Sequence, residues 1–137
     1  MTRARIVLAD DHREMRNLVT HILGQEFEIV QAVENGPALL EAAARYNPDL
    51  CLVDISMPII NGIEVAALLK KSDAKAKVII LTVHEDQDFV QAAFDAGASG
   101  YVVKSRMATD LRQAARAVLA GNTFISALVQ NEAKPLV

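Results

Sequence analysis

The sequence has a single cysteine, no long apolar run and no large excess of charge of either sign. Because Cys51 stands alone among 137 residues, an internal disulfide framework and a multi-cysteine zinc site are excluded. Lys and Arg total 14 against 17 Asp and Glu, and the formal charge of −3 argues against binding nucleic acid or anionic membrane through overall charge. No apolar run approaches the ~20 residues that span a bilayer, and the first residues lack the pattern of a signal peptide. These absences predict a cytoplasmic protein without a membrane partner.

The length and composition are those of one folded domain. Apolar residues make up 52% of the chain and charged residues 23%, which is typical of a globular protein and not of a disordered one. We predict a domain over residues 1–125. Residues 126–137 show no strong periodicity and contain Pro135, so they are predicted to be a C-terminal tail or the start of a linker.

Short apolar runs alternate with longer stretches of helical periodicity. Residues 6–9 form a continuous apolar run, as expected of a strand buried on both faces. A single apolar stripe then runs from Met15 to Leu23, and Gly24 is predicted to end this helix in a left-handed conformation. Asn35 is predicted to cap the second helix. Further strands are predicted over residues 27–33, 50–53, 78–81 and 101–103, and Cys51 is expected to fill the core within the third.

Five strands that alternate with five helices predict an α/β fold with a doubly wound parallel sheet. A parallel crossover is right-handed and needs a helix to span it, so helices are expected on both faces. In such a sheet, ligands bind outside the carboxyl ends of the strands. The polar residues at those ends are therefore the candidate site: Asp10, Asp11, Asp54, Thr82 and Lys104.

Three carboxylates and one ammonium at one edge suit the transfer of a phosphoryl group. Two like charges about 4 Å apart repel by roughly 4 kcal/mol at an effective dielectric of 20, so a lysine or a bound cation is needed to offset them. Hard oxygen ligands favour Mg²⁺. A carboxylate can attack phosphorus while the cation and the ammonium neutralise its oxygens and a hydroxyl hydrogen-bonds one of them.

Other phosphate-binding sites do not fit the residues present. A dinucleotide site would show a glycine-rich turn after the first strand, where Asp10 and Asp11 stand, and a P-loop is likewise absent. A flavin-phosphate loop would not place two adjacent carboxylates beside phosphate. A haloacid-dehalogenase-type phosphatase would need an acid two residues after its nucleophile, where this chain has Ser56.

The chain resembles the receiver domain of two-component response regulators over roughly residues 3–122. The matching pieces lie in order at the strand ends: Asp10-Asp11, Val53-Asp54-Ile55-Ser56-Met57-Pro58 with Asn61-Gly62, Thr82, and Ala96-Gly97-Ala98-Ser99-Gly100-Tyr101-Val102-Val103-Lys104. Ser105 follows Lys104 where many receivers have proline. That variant, together with residues 121–126, resembles the NarL/FixJ (LuxR-type) subfamily. The resemblance implies a flavodoxin-like (βα)5 fold with strand order 2-1-3-4-5.

The resemblance also implies the role of each site residue. Asp54 is the phosphoacceptor and Lys104 pairs with a phosphoryl oxygen. Mg²⁺ (or Mn²⁺) is bound by Asp11, Asp54 and the Ser56 backbone carbonyl, and Asp10 acts through a metal-bound water. Thr82 and Tyr101 would switch conformation on phosphorylation. Ser56 and His84 would flank the attacking water and tune hydrolysis. His12 and His21 are expected at surface helix positions.

The implied partners are a sensor histidine kinase and, on phosphorylation, a second copy of the chain. DNA would be contacted only through an output domain that this sequence does not contain. Such a domain is expected in the full-length protein, controlling transcription. The alternatives are a stand-alone receiver that acts by protein–protein interaction, a degenerate receiver, and a small aspartyl-phosphate phosphatase. A receiver is labelled once per molecule and is not an enzyme with repeated turnover, although it takes phosphoryl groups from small donors and loses them by itself.

Overall fold

The computed structural model describes residues 2–127, which form a parallel sheet covered by helices on both faces. The strands are β1 (Arg5–Ala9), β2 (Glu28–Val33), β3 (Leu50–Val53), β4 (Lys77–Thr82), β5 (Gly100–Val103) and β6 (Phe124–Ile125). The helices are α1 (Arg13–Leu23), α2 (Gly36–Tyr46), α3 (Gly62–Lys71), α4 (Gln87–Asp95) and α5 (Met107–Leu119), and the 3-10 turn Lys104–Arg106 precedes α5. No helix within residues 2–127 combines the length and apolar character needed to cross a bilayer.

The strand order is β2-β1-β3-β4-β5-β6, with every neighbouring pair parallel. The predicted α/β class and the order 2-1-3-4-5 are confirmed. The prediction of five strands missed β6, which continues the sheet beside β5. A strand of two residues is too short to show an alternating pattern, so its sequence gave no signal.

The core has two layers because successive residues of a strand point to opposite faces of the sheet. On one face, Val7 and Cys51 pack with residues of α2, α3 and α4. On the other, Leu8 and Leu52 pack with residues of α1 and α5. The buried residues between the ends of the central strands are apolar since both faces of these strands are covered. This burial fixes the register in which the strand ends meet.

Of two predicted helix termini, the structure confirms one and contradicts the other. Asn35 caps α2 as expected, because its side-chain oxygen accepts a hydrogen bond from the Ala38 N–H at 2.8 Å. The prediction for Gly24 was wrong: its φ of −66° is right-handed, and its N–H continues the helical hydrogen bonding to the Thr20 carbonyl. A Cβ at this position would lie 2.6 Å from that carbonyl oxygen. Glycine is required there by close contact and not by a left-handed turn.

The boundary predicted at residue 126 lies at the end of the described chain. Ser126 itself is buried and hydrogen-bonded to the domain. The remainder of the predicted tail, from residue 128 onwards, lies outside the described residues.

Burial of Cys51 makes its thiol unreactive. Cys51 is fully buried in β3, and burial raises the pKa of its thiol to about 12. Since the thiolate is the reactive form, we predict no reaction with dithionitrobenzoate at pH 8 in the native protein and one thiol per chain after denaturation. A rapid reaction of the native protein would contradict this position for Cys51.

Candidate functional site

The predicted site residues lie at the carboxyl ends of four strands. Asp10 follows β1, Asp54 follows β3, Thr82 is the last residue of β4, and Lys104 follows β5. The first three are buried, with at most 4% of each residue exposed. Polar groups this deeply buried need partners within the protein, and these partners define the site.

Lys104 joins two of the predicted carboxylates. Its ammonium lies 2.7 Å from Asp10 Oδ2 and 3.0 Å from Asp54 Oδ2, and its side chain is only 10% exposed. Burial by itself would lower the pKa of Lys104, but hydrogen bonds to Asp10 and Asp54, and their charges, outweigh that effect and raise it. Because the folded pKa is raised, the ion pairs stabilise the fold while both carboxylates are ionised, and the contribution of the ammonium is lost as pH rises from about 10.5 through the folded value.

Asp54 is held at its backbone and at both carboxylate oxygens. Its N–H donates to the Ala9 carbonyl, and Oδ1 accepts a hydrogen bond from the Ser56 N–H at 3.3 Å. The loop to α3 closes tightly behind it, since a Cβ at Gly62 would lie 2.2 Å from the Asp54 carbonyl oxygen. A local main-chain donor and a distant lysine therefore aim this carboxylate.

Asp10 and Asp11 have different surroundings. Both carboxylate oxygens of Asp10 are in use, because Oδ2 meets Lys104 and Oδ1 accepts from the His12 N–H at 2.9 Å. The side chain of Asp11 is 34% exposed, and the His12 Nδ1 atom lies 3.0 Å from its Oδ1. The ligand atoms of Asp10, Asp11 and His12 all lie within 4.8 Å of one another. Since two of these groups are carboxylates, the donors present fit a hard divalent cation such as Mg²⁺.

His12 and His84 make contacts that the sequence alone does not predict. The side chain of His12 is exposed, as expected, but its Nδ1 atom lies against the carboxylates of Asp10 and Asp11. His84 Nε2 is hydrogen-bonded to Ser56 Oγ at 2.9 Å, and its ring stacks on Phe89 with 4.6 Å between centroids. In the sequence, Ser56 and His84 lie two residues after Asp54 and Thr82, but this spacing alone did not show that they meet.

The two predicted switch residues hold the backbone of His84. The His84 N–H donates to Thr82 Oγ1 at 3.4 Å, and the buried Tyr101 hydroxyl donates to the His84 carbonyl at 2.8 Å. Burial, and then the charges of Asp86 and Asp54, raise the pKa of Tyr101, so it remains a neutral donor. The loop after β4 is thus tied to β4, to β5 and to the Asp54 loop.

The fold and the site together define a class of protein. It is a doubly wound parallel α/β domain with an aspartate–lysine–aspartate cluster at its strand ends. A profile of the response regulator receiver domain matches residues 6–116, and the chain belongs to this family.

Relatives of known sequence and structure agree with this assignment. The chain is 38% identical over 125 residues to the transcriptional regulatory protein DegU of Brevibacillus brevis, covering 90% of this chain and 53% of DegU. It is 42% identical over 100 residues to the chemotaxis protein CheY of Halobacterium salinarum, covering 73% of this chain and 83% of CheY. A LuxR-family two-component response regulator from Aurantimonas sp. SI85-9A1 superposes with a TM-score of 0.91 at 32% identity, covering 96% of this chain and 95% of that one. The chain thus spans about half the length of DegU.

Removal of the Lys104 charge is predicted to make stability depend on a divalent cation. Lys104→Met leaves two buried carboxylates without their ammonium, and we expect a loss of about 3 kcal/mol in unfolding free energy at pH 7 with a chelator present. A cation that binds only the folded state would recover part of that loss. Urea unfolding with and without Mg²⁺ measures both effects.

The matched control for this experiment is Lys71→Met, which removes an exposed lysine at the end of α3. It should change stability little in either buffer. Equal stability of Lys104→Met and the unmodified protein in chelator would show that the ion pairs do not stabilise the fold.

Proposed function

We propose that the chain is a phosphorylation-controlled switch whose acceptor is Asp54 and whose donor is a phosphohistidine of a sensor histidine kinase. The observation that carries the proposal is the position of the Asp54 carboxylate, which is buried at the end of β3 with the Lys104 ammonium 3.0 Å away. Membership of the receiver family supports it. An acid surrounded by a fixed cation and a main-chain donor suits attack on an anionic phosphoryl group.

The residues of the chain divide the phosphoryl transfer between them. An oxygen of Asp54 forms a bond to phosphorus as the P–N bond to the donor imidazole breaks, and the imidazole leaves with that bond's electron pair. Lys104 offsets the charge on the phosphoryl oxygens, and Thr82 offers its hydroxyl to one of them. Asp10 keeps the ammonium in place, since it accepts from Lys104 at 2.7 Å.

The carboxylates at the ends of β1 and β3 are proposed to hold Mg²⁺ or Mn²⁺. Asp11, Asp54 and the Ser56 backbone carbonyl would be its protein ligands, with Asp10 in contact through water. When bound, the cation supplies positive charge to the phosphoryl oxygens. The side chain of Asp11 is partly exposed whereas that of Asp10 is buried, which supports Asp11 as a direct ligand of the cation and Asp10 as an indirect one.

The switch is proposed to act through the His84 backbone. Phosphorylation replaces one negative charge on Asp54 with roughly two. If Thr82 turns towards the phosphoryl group, its hydroxyl no longer accepts the hydrogen bond from the His84 N–H. The same movement of the His84 backbone would also displace the carbonyl that accepts the hydrogen bond from the Tyr101 hydroxyl. Two arrangements of the β4–α4 loop would then differ in population. The surface of α4, β5 and α5 would change with them.

The output is proposed to be transcription, through a DNA-binding domain outside this chain and a phosphorylation-dependent homodimer. DegU is named a transcriptional regulatory protein, and the Aurantimonas structure is of the LuxR family. A stand-alone receiver acting by protein–protein contact is the second candidate, since the match to the chemotaxis protein CheY covers most of CheY. Both candidates use the same acceptor, and both place the protein in the cytoplasm.

Asp54 is predicted to gain one phosphoryl group from acetyl phosphate in the presence of Mg²⁺. Intact mass measurement should show a single addition in the unmodified chain, none without the metal and none in Asp54→Asn. Asp88→Asn, which changes an exposed carboxylate of α4, should be labelled normally. Labelling of Asp54→Asn would place the acceptor elsewhere, and repeated turnover of the donor at a high rate would favour a phosphatase.

The Ser56–His84 hydrogen bond is predicted to slow loss of the phosphoryl group. The two side chains bridge the loop that carries Asp54 and the loop after β4, and closure of loops over a reacting centre limits the access of water. His84→Ala and Ser56→Ala should each dephosphorylate about threefold faster, with little change in the rate of labelling. The measurement is the half-life of the phosphorylated mass peak after removal of donor.

His21→Ala serves as the matched histidine control, because His21 is exposed in the last turn of α1. Its half-life should equal that of the unmodified protein. Equal half-lives for His84→Ala and the unmodified protein would remove His84 from the control of hydrolysis.

A further inference from the structure

Asp110 is a buried carboxylate that the proposed phosphoryl chemistry does not use. It lies in the first turn of α5 with 4% of its surface exposed. Its two oxygens accept hydrogen bonds from Arg106 Nε at 3.2 Å and Nη2 at 3.3 Å, and Oδ2 also accepts from Ser126 Oγ at 2.9 Å. A charge is costly to bury unless its partners have good geometry, so this arrangement calls for a structural or functional reason.

Ser126 connects that carboxylate to the backbone of β5. The residue is fully buried, and its hydroxyl both donates to Asp110 and accepts from the Val103 N–H at 3.1 Å. The Ser126 N–H donates in turn to the Tyr101 carbonyl at 2.9 Å. The paired register of β5 and β6 ends at Tyr101 and Ile125, and beyond it the Ser126 hydroxyl is the acceptor for the Val103 N–H.

These contacts enclose the turn that carries Lys104. Val103, which Ser126 holds, is the residue directly before Lys104, and Arg106, which Asp110 holds, is the last residue of the same 3-10 turn. One carboxylate therefore fixes the main chain before the turn, through Ser126, and the end of the turn, through Arg106. The ammonium that this turn carries lies between Asp10 and Asp54.

We propose that Asp110 and Ser126 are positioning residues for Lys104. They hold both ends of its turn, so that the ammonium meets the phosphoryl group without first having to be ordered. This inference rests on the proposed function of Asp54 and names residues that act on it through Lys104.

The test uses Ser126→Ala in the 137-residue chain, with Ser72→Ala as the matched control. Ser72 also donates its hydroxyl, to the Leu69 carbonyl at 2.9 Å, but at the end of α3. We expect Ser126→Ala to exchange the Val103 amide hydrogen about tenfold faster and to lower the maximal rate of labelling by acetyl phosphate with Mg²⁺ about threefold to tenfold. Ser72→Ala should change neither. Amides of β1 should exchange normally, which separates local release from a general loss of stability.

A second pair of variants tests the carboxylate. Asp110→Asn keeps an acceptor oxygen for Ser126, whereas Asp110→Ala removes it, so labelling should fall in the order unmodified, Asn, Ala. Coupling must also be reciprocal: beryllofluoride with Mg²⁺ should slow exchange of the Val103 amide in the unmodified chain and less so in Asp110→Asn.

The outcomes separate this inference from the proposed function. Faster exchange at Val103 with an unchanged rate of labelling would reduce Ser126 to a structural role and overturn the inference, and unchanged exchange would show that the hydrogen bond does not hold β5. Either result leaves Asp54 as the acceptor. Failure of the unmodified chain to be labelled would instead overturn the proposed function.

Discussion

The pairing of one buried ammonium with two buried carboxylates is the constraint on which the rest of the site depends. Lys104 reaches Asp10 and Asp54 from the far side of β4, because the strand order places β4 between β3 and β5. The three charged groups come from residues 94 and 50 positions apart in the chain, so only the assembled sheet brings them together. Folding of the sheet and formation of the site are therefore one process.

Much of this arrangement could be predicted, since the signals are strong and local. A continuous apolar run that ends in Asp54 or Lys104 identifies both a buried strand and a polar group at its carboxyl end. The short strand β6 and the Ser56–His84 hydrogen bond carried no such signal. In the sequence, Asp110 resembles an ordinary acid in the first turn of a helix, where the helix dipole favours a negative charge. Its burial depends on Ser126, 16 positions away, and periodicity does not report such a contact.

The second organising feature is the position of His84 between the proposed acceptor and the proposed switch. Its backbone is held by Thr82 and Tyr101, while its ring is held by Ser56 and Phe89. The Thr82 hydroxyl is therefore linked, through the main chain and ring of His84, to Phe89 of α4.

The strand β5 contacts both layers of the core, the turn that carries Lys104 and Ser126. Tyr101 and Val103 point into the layer covered by α2, α3 and α4, whereas Val102 points into the layer covered by α1 and α5. The strand is short and continues directly into Lys104, so a displacement at its end cannot be absorbed within a flexible loop. Ser126 hydrogen-bonds the same strand from its outer edge, through Tyr101 and Val103. In the proposed switch, a movement of Lys104 towards a phosphoryl group would therefore either keep the contacts of Ser126 or break them, and this choice would link Asp54 to Ser126.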